Sequence, residues 1–304
     1  MPLCRKTFLA LLVLSILSLK IPLIAQDGSS AGKCGFQNLI IPAPTNTITT
    51  PAALNDKGAI VGGLSNKFEL NPHTTGFLLS NGIFTHFRFP GSADTFPSDI
   101  NKNGVIVGSF DFVSGHPDLE RAFMVHNGVF RQVTIPGFPN VRAVANGVND
   151  LGDIVGQFDR NGAGLGFLLR NGKLTIISFP GATRGTFPSG INNQGVIVGN
   201  YFTSDGGIHG FMWKNGAFTN LEFPEAMVTF PAKISNNGDV VGTYIDSAHF
   251  QHGFSFDKGR YSTIDRPGFA DTRLTAVNSF DNILGFAFTE SGGKWFKGFC
   301  SSVF

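Results

Sequence analysis

The chain has 304 residues, 42% apolar and 14% charged, enough apolar mass for a sizeable core. Its formal charge of +2 comes from the N-terminus: without Arg5, Lys6 and Lys20, 20 basic residues face 21 acidic ones. No basic block is left to engage nucleic acid or an anionic membrane surface.

Residues 1–25 read as a secretory signal peptide: a basic start, an apolar run from Phe8 to Leu19 too short for a membrane span, and Ala25 before Gln26. Residues 26–34 read as a flexible lead-in. The mature protein is therefore expected to be secreted, extracellular or periplasmic, with no stable membrane span.

Residues 35–304 are dominated by one unit, cleanest from Thr186 to Pro224. Its mark, Ile-Asn-x-x-Gly-x-Ile-Val-Gly, recurs with the Asn at 55, 101, 149, 192 and 278 and Ser at 235. A spacing in the forties belongs to propeller blades or paired-helix solenoids. Short runs of Val, Ile, Phe and Thr broken by Gly, Pro and Asn-Gly select strands. Within a unit, a first strand runs into Ile-Asn, and Asn-x-x-Gly turns the chain because both residues tolerate positive φ. The second strand is Val196–Gly199 and the third Gly210–Trp213. Asn215-Gly216 then makes a hairpin into a fourth strand, Ala217–Phe223. Six units of four strands predict an all-β, six-bladed propeller.

The two ends complete each other. The chain stops after a third strand, Gly298-Phe299-Cys300, and residues 36–42 match a fourth, so the N-terminal strand is expected to finish the last blade and close the ring. Cys34 and Cys300 flank that seam, and export permits a disulfide between them. Hairpin register would nevertheless stagger them by a few residues, about 10 Å. Phe77, Phe123, Phe167, Phe211, Phe254 and Phe299 recur in the third strand and are assigned to blade-to-blade packing.

The third-strand motif stands as Arg121-Ala122-Phe123-Met124, His209-Gly210-Phe211-Met212-Trp213 and His252-Gly253-Phe254-Ser255. Together with Asn-x-x-Gly-x-Ile-Val-Gly it resembles the bacterial extracellular HAF-repeat family, although no copy holds His-Ala-Phe intact. The resemblance implies an exported repeat protein and supplies no activity or catalytic residues.

No metal, phosphate-loop or nucleophile-elbow motif is present in the sequence, so neither cofactor, metal nor catalytic residue is assigned. Asn149-Asp150-Leu151-Gly152-Asp153 lacks the alternating carboxylates and distal Glu of a calcium loop. His209 and His252 share one repeat position, which points to a repeated polar contact. The Asn-x-x-Gly and Asn-Gly turns are uniform, whereas the loops joining second to third strands diverge. Divergent loops on a rigid scaffold are where binding resides. The candidates are His116, Asp118 and Arg121 in the charged loop 111–121, Arg142 and Arg184 before first strands, and Trp295 in a loop outside the repeat. The expected function is binding or scaffolding of a protein or glycan partner. The alternative is an extracellular hydrolase or lyase at the channel mouth, which two carboxylates in a mouth pocket would favour.

Overall fold

The computed structural model describes residues 34–68, 73–116, 119–160, 162–289 and 292–300. The expected signal peptide, and the lead-in up to residue 33, lie outside them. No helix among the described residues is long and apolar enough to cross a membrane.

Strand β1 (Cys34–Asn38) precedes a first unit of β2 (Thr47–Leu54), β3 (Ile60–Asn66), β4 (Thr74–Ser80) and β5 (Ile83–Phe87). The second unit is β6 (Asp94–Ile100), β7 (Ile106–Asp111), β8 (Arg121–His126) and β9 (Val129–Val133). The third is β10 (Ala143–Val148), β11 (Ile154–Arg160), β12 (Ala163–Arg170) and β13 (Lys173–Ile177). The fourth is β14 (Gly185–Ile191), β15 (Ile197–Phe202), β16 (Ile208–Lys214) and β17 (Ala217–Asn220). The fifth is β18 (Val228–Ile234), β19 (Val240–Ile245), β20 (Gln251–Asp257) and β21 (Arg260–Ile264). The sixth holds β22 (Asp271–Val277), β23 (Asn282–Thr289) and β24 (Gly292–Cys300), and takes β1 as its outer strand.

The fold is an all-β propeller of four-stranded, antiparallel blades. Against the six blades expected, four sheets have four strands, and the third and fourth units form one sheet of eight. A single parallel bridge, Gly164 to Gly185, joins them. The approach needs glycine, because a Cβ on Gly185 would lie 2.8 Å from the Gly164 carbonyl oxygen.

The second and third strands explain two repeated residues at once. Phe77, Phe123, Phe167, Phe211 and Phe254 are fully buried. Each lies opposite the glycine that ends Ile-Val-Gly in its unit. A Cβ on Gly62 or Gly108 would strike both that ring and the first strand's backbone, so the glycine makes room for the phenylalanine. The sixth member is not Phe299, which is 48% exposed; it is Phe296, fully buried opposite Gly285. The two positions are three residues apart on one strand, so period-two alternation puts their side chains on opposite faces.

At the seam, Cys34 lies directly opposite Cys300, and Phe36 opposite Gly298. The cysteines are bonded, S–S 2.08 Å with Cα atoms 4.2 Å apart. The anticipated stagger is absent because no hairpin turn links β1 to β24, so no turn imposes an offset. The strand also begins and ends earlier than residues 36–42; beyond it the Leu39 N–H still donates to the Trp295 carbonyl at 2.9 Å. Leu39 and Ile41 then pack on the core of the first unit.

Candidate functional site

One end of the ring is built from the Asn-x-x-Gly turns. Their asparagines do not have positive φ; the glycines three residues later do, and Asp281 replaces that glycine in the sixth unit with φ 56°. The asparagine is needed for its amide. Asn55 Oδ1 accepts the N–H groups of Lys57 and Ala59, and its Nδ2 donates to the carbonyl of Asn101 at 2.9 Å. Asn101 donates to Asn149, Asn149 to Asn192, Asn192 to Ser235, and Asn278 back to Asn55. The repeated residue thus ties each turn to the next unit. Ser235 accepts the same two N–H groups but gives its hydroxyl to Asp239. There Asn237 makes the link instead, donating to the Ser279 carbonyl at 2.9 Å.

Just inside this ring, side chains of opposite units meet. Every first strand carries a β-bulge two to three residues before the asparagine position. The residue after the bulge is small in four units: Ala53, Gly147, Gly190 and Ala276. In the second and fifth it is Asp99 and Lys233, and these meet, Lys233 Nζ lying 3.2 Å from Asp99 Oδ2. Lys233 also donates to the carbonyls of Asn146 (2.6 Å) and Ser189 (3.1 Å). Asp99 accepts the N–H groups of Ile100 and Val148. A cavity of about 60 Å³ lies here, bordered by Asp150, Asn236 and the Asp99–Lys233 pair. That holds about two waters at ~30 Å³ each. Asp150 accepts from Asn193, Asn236 and the Lys102 N–H; burial opposes ionisation, but these bonds hold its carboxyl below the ordinary value.

The other end carries the divergent loops and most of the sequence candidates. His116 is exposed in its loop, Arg184 is exposed in the connection before β14, and Asp118 lies outside the described residues. Arg121 and Arg142 are brought together on Glu120. Arg121 donates to its carbonyl at 2.9 Å, and Arg142 reaches its carboxylate at 2.5 Å and Asp159 at 3.6 Å. Glu120 is buried, which raises its pKa against the pull of Arg142. Arg142 is thus an inter-unit tie, as are its counterparts in the repeat: Asp94 accepts the Thr74 N–H and Asp271 the Gln251 N–H. Trp295 is not in a loop. It lies in β24, half-buried, opposite Phe286 with ring centroids 5.0 Å apart.

Two carboxylates do meet at this end, without a pocket. Asp94 and Asp111 face each other across β6 and β7, each 3% exposed, and Asp111 Oδ1 is buried with no hydrogen-bond partner among the described residues. Burial, then the charges of Asp94 and Glu120, push the Asp111 carboxyl up to about 6. Between its ordinary pKa of 3.8 and that value the folded chain keeps a proton the unfolded chain has released. Its stabilising contribution is therefore full below pH 3.8, falls as pH rises towards 6 and is gone above. Asp111→Asn is expected to be more stable than the parent above pH 6, by at most about 3 kcal/mol. Urea midpoints of both proteins at pH 5 and pH 8 check this: the gap should widen with pH, and a gap that narrows contradicts it.

The two repeated histidines sit further out on this face. His209 stacks on Tyr201 (5.1 Å) and its Nδ1 lies 3.1 Å from Glu222. His252 stacks on Tyr244 (4.9 Å) and bridges Asp265 (2.7 Å) and Asp246 (3.3 Å). The Asp265 hydrogen bond, more than burial opposes it, raises the His252 pKa.

No family model and no curated protein matches the chain. Solved structures do. The chain is similar to virginiamycin B lyase from Staphylococcus aureus at 12% identity and TM-score 0.50, over 88% of this chain and 99% of that one. It is similar to AofleA from Arthrobotrys oligospora at 12% identity and TM-score 0.53, over 92% and 89%. The β-propeller domain of the Trilobed protease from Pyrococcus furiosus matches at 11% identity and TM-score 0.51, over 83% and 81%. At such identities the likeness is one of fold.

The Asp99–Lys233 pair escaped sequence reading, although a signal was there. Aligning the units two residues before the asparagine shows four small residues and two opposite charges, three units apart.

Proposed function

We propose that the protein is an exported binding or scaffold module of the HAF-repeat type, engaging a protein or glycan partner with its loop-bearing face. In this reading the ring has six blades, the eight-stranded sheet counting as two because one bridge pair joins its halves. The disulfide at the seam suits an oxidising compartment, extracellular or periplasmic. The observation that carries the binding role is the distribution of exposed apolar side chains. Phe68, Phe112, Val113, Met227 and Phe250 are 46–73% exposed and all adjoin strand ends on the loop-bearing side. The turn side exposes Ile83, Val129, Leu151, Phe280 and Phe299, fewer than the loop-bearing side, where Ile40, Ile48, Leu119 and Ile176 add to the first five. The side with the larger share of exposed apolar groups is the better interaction surface.

The hydrolase or lyase reading would draw on Asp94 and Asp111. Both are buried, and neither borders the turn-side cavity or the cavity of the first unit.

The test is a screen of the immobilised protein against a glycan array and extracellular proteins, repeated with variants. Phe112→Ser, Met227→Ser and Phe250→Ser should abolish capture at an unchanged unfolding temperature. Loss of capture on Leu151→Ser or Phe280→Ser instead would place the interaction on the wrong side for this reading.

A further inference from the structure

At the loop-bearing end, each unit brings together three side chains: one from its second strand, one opposite it on the third, and one just after the fourth. In the fourth unit they are Tyr201, His209 and Glu222; in the fifth, Tyr244, His252 and Asp265. Both sets fill the space with two stacked rings and set the imidazole against the carboxylate. The same places in the first unit hold Leu64, Thr75 and Arg88. Two rings have become a leucine and a threonine, and the anion has become a cation.

A cavity of about 260 Å³ lies there, bordered by Leu64, Ser65, Asn66, His73, Thr75 and Arg88. Arg88 is exposed and has no hydrogen-bond or ion-pair partner among the described residues. His73 is held by Asp94, Nδ1 to Oδ1 3.6 Å. Thr75 Oγ1 donates to the Leu64 carbonyl at 3.3 Å, which leaves its lone pairs free to accept. Where the fourth and fifth units set a carboxylate against an imidazole, this one presents a cation and a space.

We propose that this cavity binds a small carboxylate-bearing polyol of the uronic acid type. The Arg88 guanidinium takes the carboxylate in its two-pronged donor geometry. Ser65 and Thr75 take ring hydroxyls, and Leu64 lies under the apolar face of the sugar. The volume is just below the ~300 Å³ at which sites for larger organic ligands begin, which suits one sugar ring. The inference shares a face with the proposed binding role but uses different residues.

The test is calorimetric titration of the purified protein with D-glucuronate, D-glucose and acetate. Glucuronate should bind best. Arg88→Gln, at an exposed position, should weaken it about tenfold or more, as loss of a charge-assisted pair does. Leu64→Tyr with Thr75→His, which rebuilds the rings of the fourth unit, should abolish it. No glucuronate binding in the millimolar range, equal binding of glucose or acetate, or unchanged binding by Arg88→Gln would each overturn the proposal. Partner capture that survives Arg88→Gln shows that the wider binding role stands whether or not this pocket does.

Discussion

Replacing Lys233 with methionine is expected to lower the unfolding free energy by about 3–5 kcal/mol, the usual cost of leaving one member of a buried ion pair alone. Methionine keeps most of the side-chain length, so the loss is electrostatic more than steric. Asp99 would then hold its charge with only the Ile100 and Val148 N–H groups for company. The carbonyls of Asn146 and Ser189 would also lose their donor. For a chain of this size each kcal/mol is worth about 2–4 °C, so the melting temperature should fall by about 10 °C. Asp99→Asn added to Lys233→Met removes the stranded charge and keeps an acceptor for the two N–H groups. The double variant should recover much of the loss. If the double variant melts no higher than Lys233→Met, the loss does not come from the unpaired Asp99 charge.

Opening the seam should cost a comparable amount. The disulfide links residues 266 apart, and the chain-entropy treatment gives about 5–6 kcal/mol as an upper limit for so long a loop. Cys34→Ala frees β1 from its covalent tie while leaving its ladder with β24 intact. The expected result is a lower melting temperature for Cys34→Ala, matched by the parent protein under a reducing agent. Reductant should then leave Cys34→Ala unmoved. Two free thiols in the non-reduced parent protein would contradict the bond itself, and a parent insensitive to reductant would show that the β1 ladder suffices to hold the seam.

The disulfide and the buried ion pair differ in how far the sequence points to them. The cysteines flank the two halves of one interrupted unit, so their partnership is readable from the order of strands. Their face-to-face register is not, because β1 reaches β24 through space and not through a turn. The charges at 99 and 233 lie 134 positions apart and touch only because the units come round a common axis. The candidate loop residues divide for the same reason. His116 and Arg184 are exposed as expected, whereas Arg142 is taken up by Glu120 and Asp159 from neighbouring strands. Arg88 stands out only once its place is compared with those of Glu222 and Asp265.

The sequence by itself determined the β-propeller class, the four-stranded unit, the turn positions and the N-terminal strand's place beside the last unit. These follow from local chemistry repeated at a fixed spacing: period-two apolar runs, Asn-Gly hairpins and glycine where a ring must pack. Tertiary structure alone decided why the residue is an asparagine, since its Oδ1 caps its own turn while its Nδ2 reaches the carbonyl of the next unit. It also decided that Phe296, and not Phe299, is the buried ring, because a motif match cannot tell which face of a strand looks inward. It decided that Asp99 and Lys233 of opposite units meet, and that the first unit has a cavity where the fourth and fifth have a stacked pair. Each of these depends on which side chains from distant units share a space, and a repeat fixes the position of a residue within its unit without naming its neighbour in the next.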